Sequence, residues 1–431
     1  MAEDLTRMWG NFSLTEEEGI EVEINDGALE GAVTRWGKLC PVGKGKQFPS
    51  DVLYDIFSRL PIKTLLRFRC VSPLWCTIID DPDLARTHRL RRVEEPKILL
   101  MEPTYKPDPV FREDRRGLLR FVNCQAYSLE GCCNGLLCFT RRFWNCNHSP
   151  LFLVNPQRQQ VVELQRPPCK GAPWPPVHDS MCSCSYGLGF DCSTNTYKIV
   201  GLFFNDKNTG DDDDDLCAQV YTLGRGRGSS WRAVKGPPKA TIRSPKGHFY
   251  GRPVYARGAL HWLVRPGDYH HRGDLQYKIV YFDVGKEVFG LIYPPRFQSK
   301  SQSCHLVDLG GDLAMAVVGR SYYEIEICVM KEYDQKKEWV KEYTIFPRHQ
   351  EIFPRHQEIL CLQENTDELQ VIGLFEDGEI LVKVNSENFL FYNTKIGLLS
   401  DKRNYIPRLD YNTEVLFHMG TLLSIALFRE E

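Results

Sequence analysis

Nowhere does the chain hold the roughly 18 uninterrupted apolar residues that a membrane-spanning helix requires, so no span is expected. It also lacks an excess of charge. Its 54 Lys and Arg stand against 56 Asp and Glu, a net of −2, so the footprint of a nucleic-acid or anionic-membrane binder is missing. Met1 to Glu18 does not pass from basic to apolar, so no secretory leader is expected. On that expectation Asn11 and Asn147, each two residues before a serine, are chance matches to a glycosylation signal. The sixteen cysteines never fall in Cys-x-x-Cys spacing, which argues against a zinc framework; without secretion they are expected as reduced thiols. No Gly-x-Ser-x-Gly, His-Glu-x-x-His or Gly-x-Gly-x-x-Gly stretch is present.

The residues that could still carry chemistry have simpler readings. Cys182, Cys184, Cys192 and His178 lack the spacing of a metal site, and Cys132, Cys133 and Cys138 fall in apolar strand-like stretches as small packing residues. His270 and His271 lie in a Pro/Gly/Asp loop, and His261 beside Trp262 reads as a hydrogen-bonded core residue. Asp211 to Asp215 has the charge of a calcium site without its alternating ligands, so it reads as a solvated loop. No catalytic residue, metal or cofactor is assigned, and the chain is not expected to be an enzyme.

What is present begins near Phe48. Val52, Leu53, Ile56, Phe57 and Leu60 form one face of a 3.6-period helix. Pro61 ends it and opens a second helix carrying Ile62, Leu65, Leu66 and Phe68. Ser72–Pro73 and Asp81–Pro82 are cap-and-proline starts for two more, the first with Leu74, Trp75, Ile78 and Ile79 as its apolar stripe. Packed into 47–91, these helices hold more apolar surface than so small a unit can bury, so a partner is expected.

The segment resembles an F-box. The matching elements are Phe48–Pro49, Asp51 to Phe57, Leu60–Pro61, Leu65 to Arg69, Cys70–Val71–Ser72 and Trp75. Phe48 stands where the plant version has an aliphatic residue, and Pro73 where it commonly has lysine. The resemblance implies that Phe48, Pro49, Leu53, Ile56, Phe57, Leu60, Pro61, Leu65, Leu66, Val71 and Trp75 face a Skp-family adaptor or support the surface that does.

Residues 1–46, rich in Glu and Gly, are expected to be a disordered extension. From 96 to 431 helical periodicity gives way to short strand-like runs. Glycine-led segments recur at Gly135, Gly189, Gly258, Gly311, Gly378 and Gly420, at intervals of roughly 40–70 residues, near the ~50 of propeller repeats. Hairpins are expected over Leu151–Leu164, Val220–Val234, Ile279–Pro295, Ile325–Ile345 and Phe389–Leu399. Two interruptions stand out: the acidic insertion Asn205–Asp215, and the heptapeptide Ile345–Glu351 repeated at Ile352–Glu358. The fold class expected is α+β multidomain, a small all-α F-box followed by an all-β, β-propeller-like domain, with Lys97–Met101 and Leu422–Phe428 sharing the closing blade.

The region also resembles the kelch-like F-box-associated interaction domain of plant F-box proteins. The matching pieces are Gly131–Cys138, Val154–Pro156, Tyr186–Asp191, Tyr197–Val200, Val220–Leu223, Gly258–Trp262, Ile279–Asp283 and Val329–Tyr333, in the family's order. The two resemblances together imply a substrate receptor of an SCF-type E3 ubiquitin ligase. Its partners would be the adaptor, a cullin indirectly and an unknown target, and its location the cytoplasm and/or nucleus. A scaffold that sequesters its partner without ubiquitination is the alternative. The loops Asn205–Asp215, Gly224–Gly228 and Gly267–Gly273 are the candidate target contacts.

Overall fold

Prolines and short polar caps punctuate the helical module. Pro49 and Pro61 hold the cap positions before α1 (Ser50–Phe57) and α2 (Ile62–Phe68), where an absent N–H costs little. Ser72 caps α3 (Pro73–Ile79), accepting from Trp75 N at 3.2 Å, and Asp81 caps α4 (Pro82–Leu90), accepting from Asp83 N at 2.9 Å. Both cap-and-proline starts are as expected from the sequence. Helices this short do not persist alone. They share an interior of Leu53, Phe57, Ile62, Leu65, Ile79 and Leu84, where the Phe57 ring meets Trp75 edge-on at 5.0 Å.

The computed structural model describes residues 49–91, 96–104, 110–113, 118–124, 127–141, 150–164, 184–204, 216–224, 230–237, 248–265 and 277–296, and then 301–319, 324–333, 338–347, 369–375, 377–384, 389–400, 406, 409 and 413–428. The extension 1–46, His178, His270, His271, both Asn sequons, the acidic insertion and most of the duplicated heptapeptide lie outside them.

Beyond the helices the described strands form six sheets. β1 (Lys97–Thr104), β2 (Val110–Glu113) and β3 (Leu119–Cys124) make the first, in the order β2-β3-β1. The second holds β4 (Tyr127–Cys133), β5 (Leu136–Arg141), β6 (Leu151–Asn155) and β7 (Gln160–Leu164). The third holds β8 (Cys184–Asp191), β9 (Thr196–Phe204), β10 (Leu216–Leu223) and β11 (Trp231–Val234). In the fourth, β12 (His248–Phe249) and β13 (Val254–Ala256) both pair with β14 (Ala259–Arg265), followed by β15 (Lys278–Asp283) and β16 (Val288–Ile292). β17 (Ser301–Leu309), β18 (Asp312–Gly319), β19 (Ile325–Glu332) and β20 (Glu338–Ile345) form the fifth. The sixth is β21 (Gln370–Leu374), β22 (Glu379–Lys383), β23 (Phe389–Asn393) and β24 (Leu398–Ser400). All five hairpins expected from the sequence are present, as β6–β7, β10–β11, β15–β16, β19–β20 and β23–β24.

The ring closes differently from the expectation. Lys97–Met101 pairs antiparallel with β25 (Glu414–His418), from Lys97 opposite His418 to Met101 opposite Glu414. Leu422 and its neighbours supply no strand; Ile425–Phe428 is a 3-10 turn packed on β6 and β7. The reason is position along the chain: Glu414–His418, with the consecutive apolar residues Val415, Leu416 and Phe417, comes before Leu422 on the way from β24 back to β1. Six apolar clusters then lie one between each pair of neighbouring sheets, including the last with the first. This is a six-bladed propeller.

Two-residue turns join the first hairpins of the second, fourth and fifth blades. Asn134 and Gly135 have φ of 47° and 81°, Arg257 and Gly258 52° and 75°, Gly310 and Gly311 68° and 99°, the left-handed pair such turns demand. Gly378 turns the sixth blade in the same place. Gly189 and Gly420 are not equivalents. Gly189 lies within β8, where a Cβ would meet Val284 at 2.8 Å, and Gly420 follows β25.

Strand alternation puts these turns, and the β6–β7, β10–β11 and β23–β24 turns, at one end of the ring. The connections after β5, β9, β14 and β22 leave from the other. The candidate loops Asn205–Asp215 and Gly267–Gly273, and all of Gly224–Gly228 but its first residue, lie outside the described residues; the strands that flank them, β9 with β10, β14 with β15 and β10 with β11, are described.

Two outcomes are expected in unfolding experiments. Gly135→Ala should cost at least about 1–3 kcal/mol, because the new Cβ needs a left-handed backbone and also meets the Met419 carbonyl; Gly258→Ala, with open space around it, should cost less. His418 is buried with Nε2 donating to Gly135 O at 3.1 Å, and burial lowers its pKa to about 4. Its contribution is fully present above the unfolded value near 6.5 and should fade as pH drops toward 4, a slope that His418→Gln should flatten in urea titrations.

Candidate protein-docking surface

A helix advances 100° per residue, so adjacent apolar positions in α1 fall on neighbouring stripes rather than one. Leu53 and Phe57 turn inward and are buried. Val52 and Ile56 turn outward and stay 44% and 43% exposed. At the end of α2, Val71 is 59% exposed, and Pro49 and Pro61 are exposed beside the two helix starts. These five, with Leu90 on α4, are among the module's exposed apolar side chains.

The eleven residues singled out from the sequence divide accordingly. Pro49, Ile56, Pro61 and Val71 are exposed; Leu60, Leu66 and Trp75 are half-buried against the interior; Leu53, Phe57 and Leu65 are buried. Phe48 lies outside the described residues. The sequence reading left Val52 out of this set, although its i, i+4 relation to Ile56 was the available signal. It also gave no hint that Ile62, beginning α2, turns toward the ring, where its Cδ1 lies 3.0 Å from the position of a Cβ on Gly420.

Another side of the module is held to the ring. Leu422, from the tail after β25, enters the helical interior, and Lys63 pairs with Glu113 of the first blade at 2.7 Å. Asp80, at the end of α3, accepts from Arg69 at 2.9 Å and from Arg158 of the β6–β7 turn at 2.8 Å. Partial burial works to raise its pKa, but those two hydrogen bonds outweigh it and hold the carboxyl below its usual value. The Arg89 guanidinium sits 3.9 Å over the Phe190 ring of the third blade. On the free side, Asp55 is held low by hydrogen bonds from Arg59 and Arg91.

Of the other candidates, Cys132 and Cys192 are exposed rather than packed inside, and Cys184 is half-buried. Cys133 and Cys138 are buried in β4 and β5, and burial pushes both thiols up, away from the reactive thiolate. His261 is buried between Val254 O at 3.1 Å and Tyr333 Oη at 2.8 Å, the hydrogen-bonded core residue expected. Among the described residues no group of three or more His, Cys, Asp or Glu is placed to hold a metal.

Residues 46–87 match the F-box domain family, and residues 120–399 match the family described as F-box associated beta propeller domain. The F-box protein At3g07870 of Arabidopsis thaliana is 28% identical over 84% of this chain and 88% of its own length. The F-box protein CPR1 of the same plant is 26% identical over 69% and 72%. Among solved structures, an exo-beta-1,3-galactanase from Clostridium thermocellum aligns over 74% of this chain and 62% of its own at 9% identity, with a TM-score of 0.34 too low to carry any argument.

The two stripes of α1 predict opposite responses. Phe57→Ala should destabilise the module by about 3–5 kcal/mol through a buried cavity. Ile56→Asp, on the exposed stripe, should shift stability by no more than about 0.5 kcal/mol. Urea unfolding followed by the helical circular-dichroism signal separates the two.

Proposed function

This chain belongs to the F-box proteins that carry an F-box associated beta propeller domain, and from that membership we propose that it is the substrate-recognition subunit of an SCF-type E3 ubiquitin ligase. The helical unit 47–91 binds a Skp-family adaptor, which connects it to a cullin, and the domain 96–431 holds the target protein. The observation that carries this reading is the division of the module into two faces. One is closed by the propeller and the chain's own tail; the other leaves Pro49, Val52, Ile56, Pro61 and Val71 in solvent. An apolar stripe maintained outward on a rigid scaffold is the form of a docking surface for another protein's groove.

In this reading Leu53, Phe57 and Leu65 hold the helices in register. Leu60, Leu66 and Trp75 shape the margin, and the exposed set, with Phe48 ahead of it, makes the contact. The chemistry is supplied by proximity: a target lysine is kept at high effective concentration near an enzyme-bound ubiquitin thioester, so this chain needs no nucleophile of its own. The target is held at the end of the ring away from the helices, where the connections after β9 and β14 depart. Such an assembly works in the cytoplasm and/or nucleus.

The test uses the full chain with Val52→Asp and Ile56→Asp together. Co-purification with the adaptor should fall at least about tenfold while the unfolding midpoint stays within a few degrees. Unchanged co-purification would rule out this face. Ubiquitin transfer in a reconstituted complex distinguishes a ligase subunit from a scaffold that only sequesters its partner.

A further inference from the structure

The residues after β25 fill the seam between the helices and the ring. Leu422 is buried with Phe57 and Leu65 in the helical interior, and Ile425 is buried in the cluster shared by the second and third blades. Between these two anchors the tail's backbone is gripped by the β6–β7 hairpin. Asn155 Nδ2 donates to the carbonyls of Thr421 and Leu423 at 3.2 and 2.7 Å, and Gln160 Oε1 accepts from Ile425 N at 2.9 Å.

Arg158 ties three parts together. Its Nε donates to Leu422 O of the tail, Nη1 to Asp80 Oδ1 at 2.8 Å, and Nη2 to the Ile79 carbonyl at 3.2 Å. The Arg158 side chain is only 2% exposed. A cation at the C-terminal end of α3 is where the helix dipole favours one. A guanidinium buried this far, with all three nitrogens engaged, cannot slide to another arrangement without leaving charge uncompensated. The contacts on either side, Lys63 with Glu113 and Arg89 over Phe190, are partly exposed ones that hold an orientation already set rather than impose it.

We propose that Met419–Phe428 is a wedge that sets the direction in which the docking helices point from the propeller, with Arg158 as the positioning residue that locks it. Its purpose rests on the ligase reading, in which target lysine and ubiquitin must meet at a defined separation; its geometry does not. A receptor with a loose joint would spread the same target over a larger volume and so dilute it at the thioester.

The test is a distance distribution in the full chain. Because sixteen cysteines preclude thiol labelling, spin labels are carried on non-natural residues in place of Arg86 on α4 and Lys286 on the fourth blade, both exposed. The unsubstituted protein should give one narrow distance. Arg158→Ala and Leu422→Ala should each broaden or split it while the propeller's melting transition persists. Arg158→Lys, which can restore only part of the three-way contact, should fall between. Should Arg158→Ala fail to fold, Asp80→Asn removes the opposing charge from one of the three links at constant size and should still broaden the distribution. An unchanged width in Arg158→Ala, or in Asp80→Asn where that stands in, overturns the proposal. In a reconstituted ligase the same variants should retain adaptor binding but spread self-ubiquitination to lysines left unmodified in the parent. Absence of adaptor binding by the parent chain would refute the ligase reading and leave the distance result standing.

Discussion

The pairing of β25 with β1 is the constraint from which the rest of the architecture follows. A row of blades in line would leave an unpaired strand at each end and one apolar sheet face bare, both costly in water and open to pairing with other chains. Drawing Glu414–His418 back against Lys97–Met101 removes both, and buries Ile98, Leu100 and Val415 against the sixth blade. It also fixes where the chain emerges. The polypeptide leaves β25 at the end of the ring where the helices sit, so the last residues are available to fill the seam.

That seam explains how four helices of seven to nine residues acquire a stable position. Their own interior is too small to hold them alone, and the missing apolar partners come from the far end of the chain, through Leu422 and Gly420. Once this side is closed, Val52, Ile56 and Val71 remain exposed among the described residues. The exposed apolar side chains thus lie apart from the face that meets the tail, and the seam is built from residues other than Val52, Ile56 and Val71.

Much of this was legible from residue patterns because the patterns are local. Ser72–Pro73 and Asp81–Pro82 announced helix starts, since a cap and a first-turn proline act within one turn of backbone. Gly135, Gly258, Gly311 and Gly378 marked hairpins because a left-handed turn is satisfied or not by the turn residues themselves. Gly189 and Gly420 look the same in sequence and do different work: each makes room for a side chain distant along the chain, Val284 and Ile62 respectively. No periodicity records such a contact. The misplacement of the closing strand has the same origin, because both Glu414–His418 and Leu422–Phe428 are apolar enough, and only the reach from β24 to β1 separates them.

The sequence by itself determined the kinds of element, the hairpin boundaries, the repeat that forces a ring, and which stretch of helix is too apolar to stand alone. These depend on backbone torsions and on hydrophobicity within a few residues. Only the tertiary structure decided which stripe of α1 faces solvent, which strand shuts the ring, and that Arg158, Asp80 and Leu422 meet. Those outcomes turn on groups separated by 78 and 264 residues, whose encounter depends on how the whole ring curves.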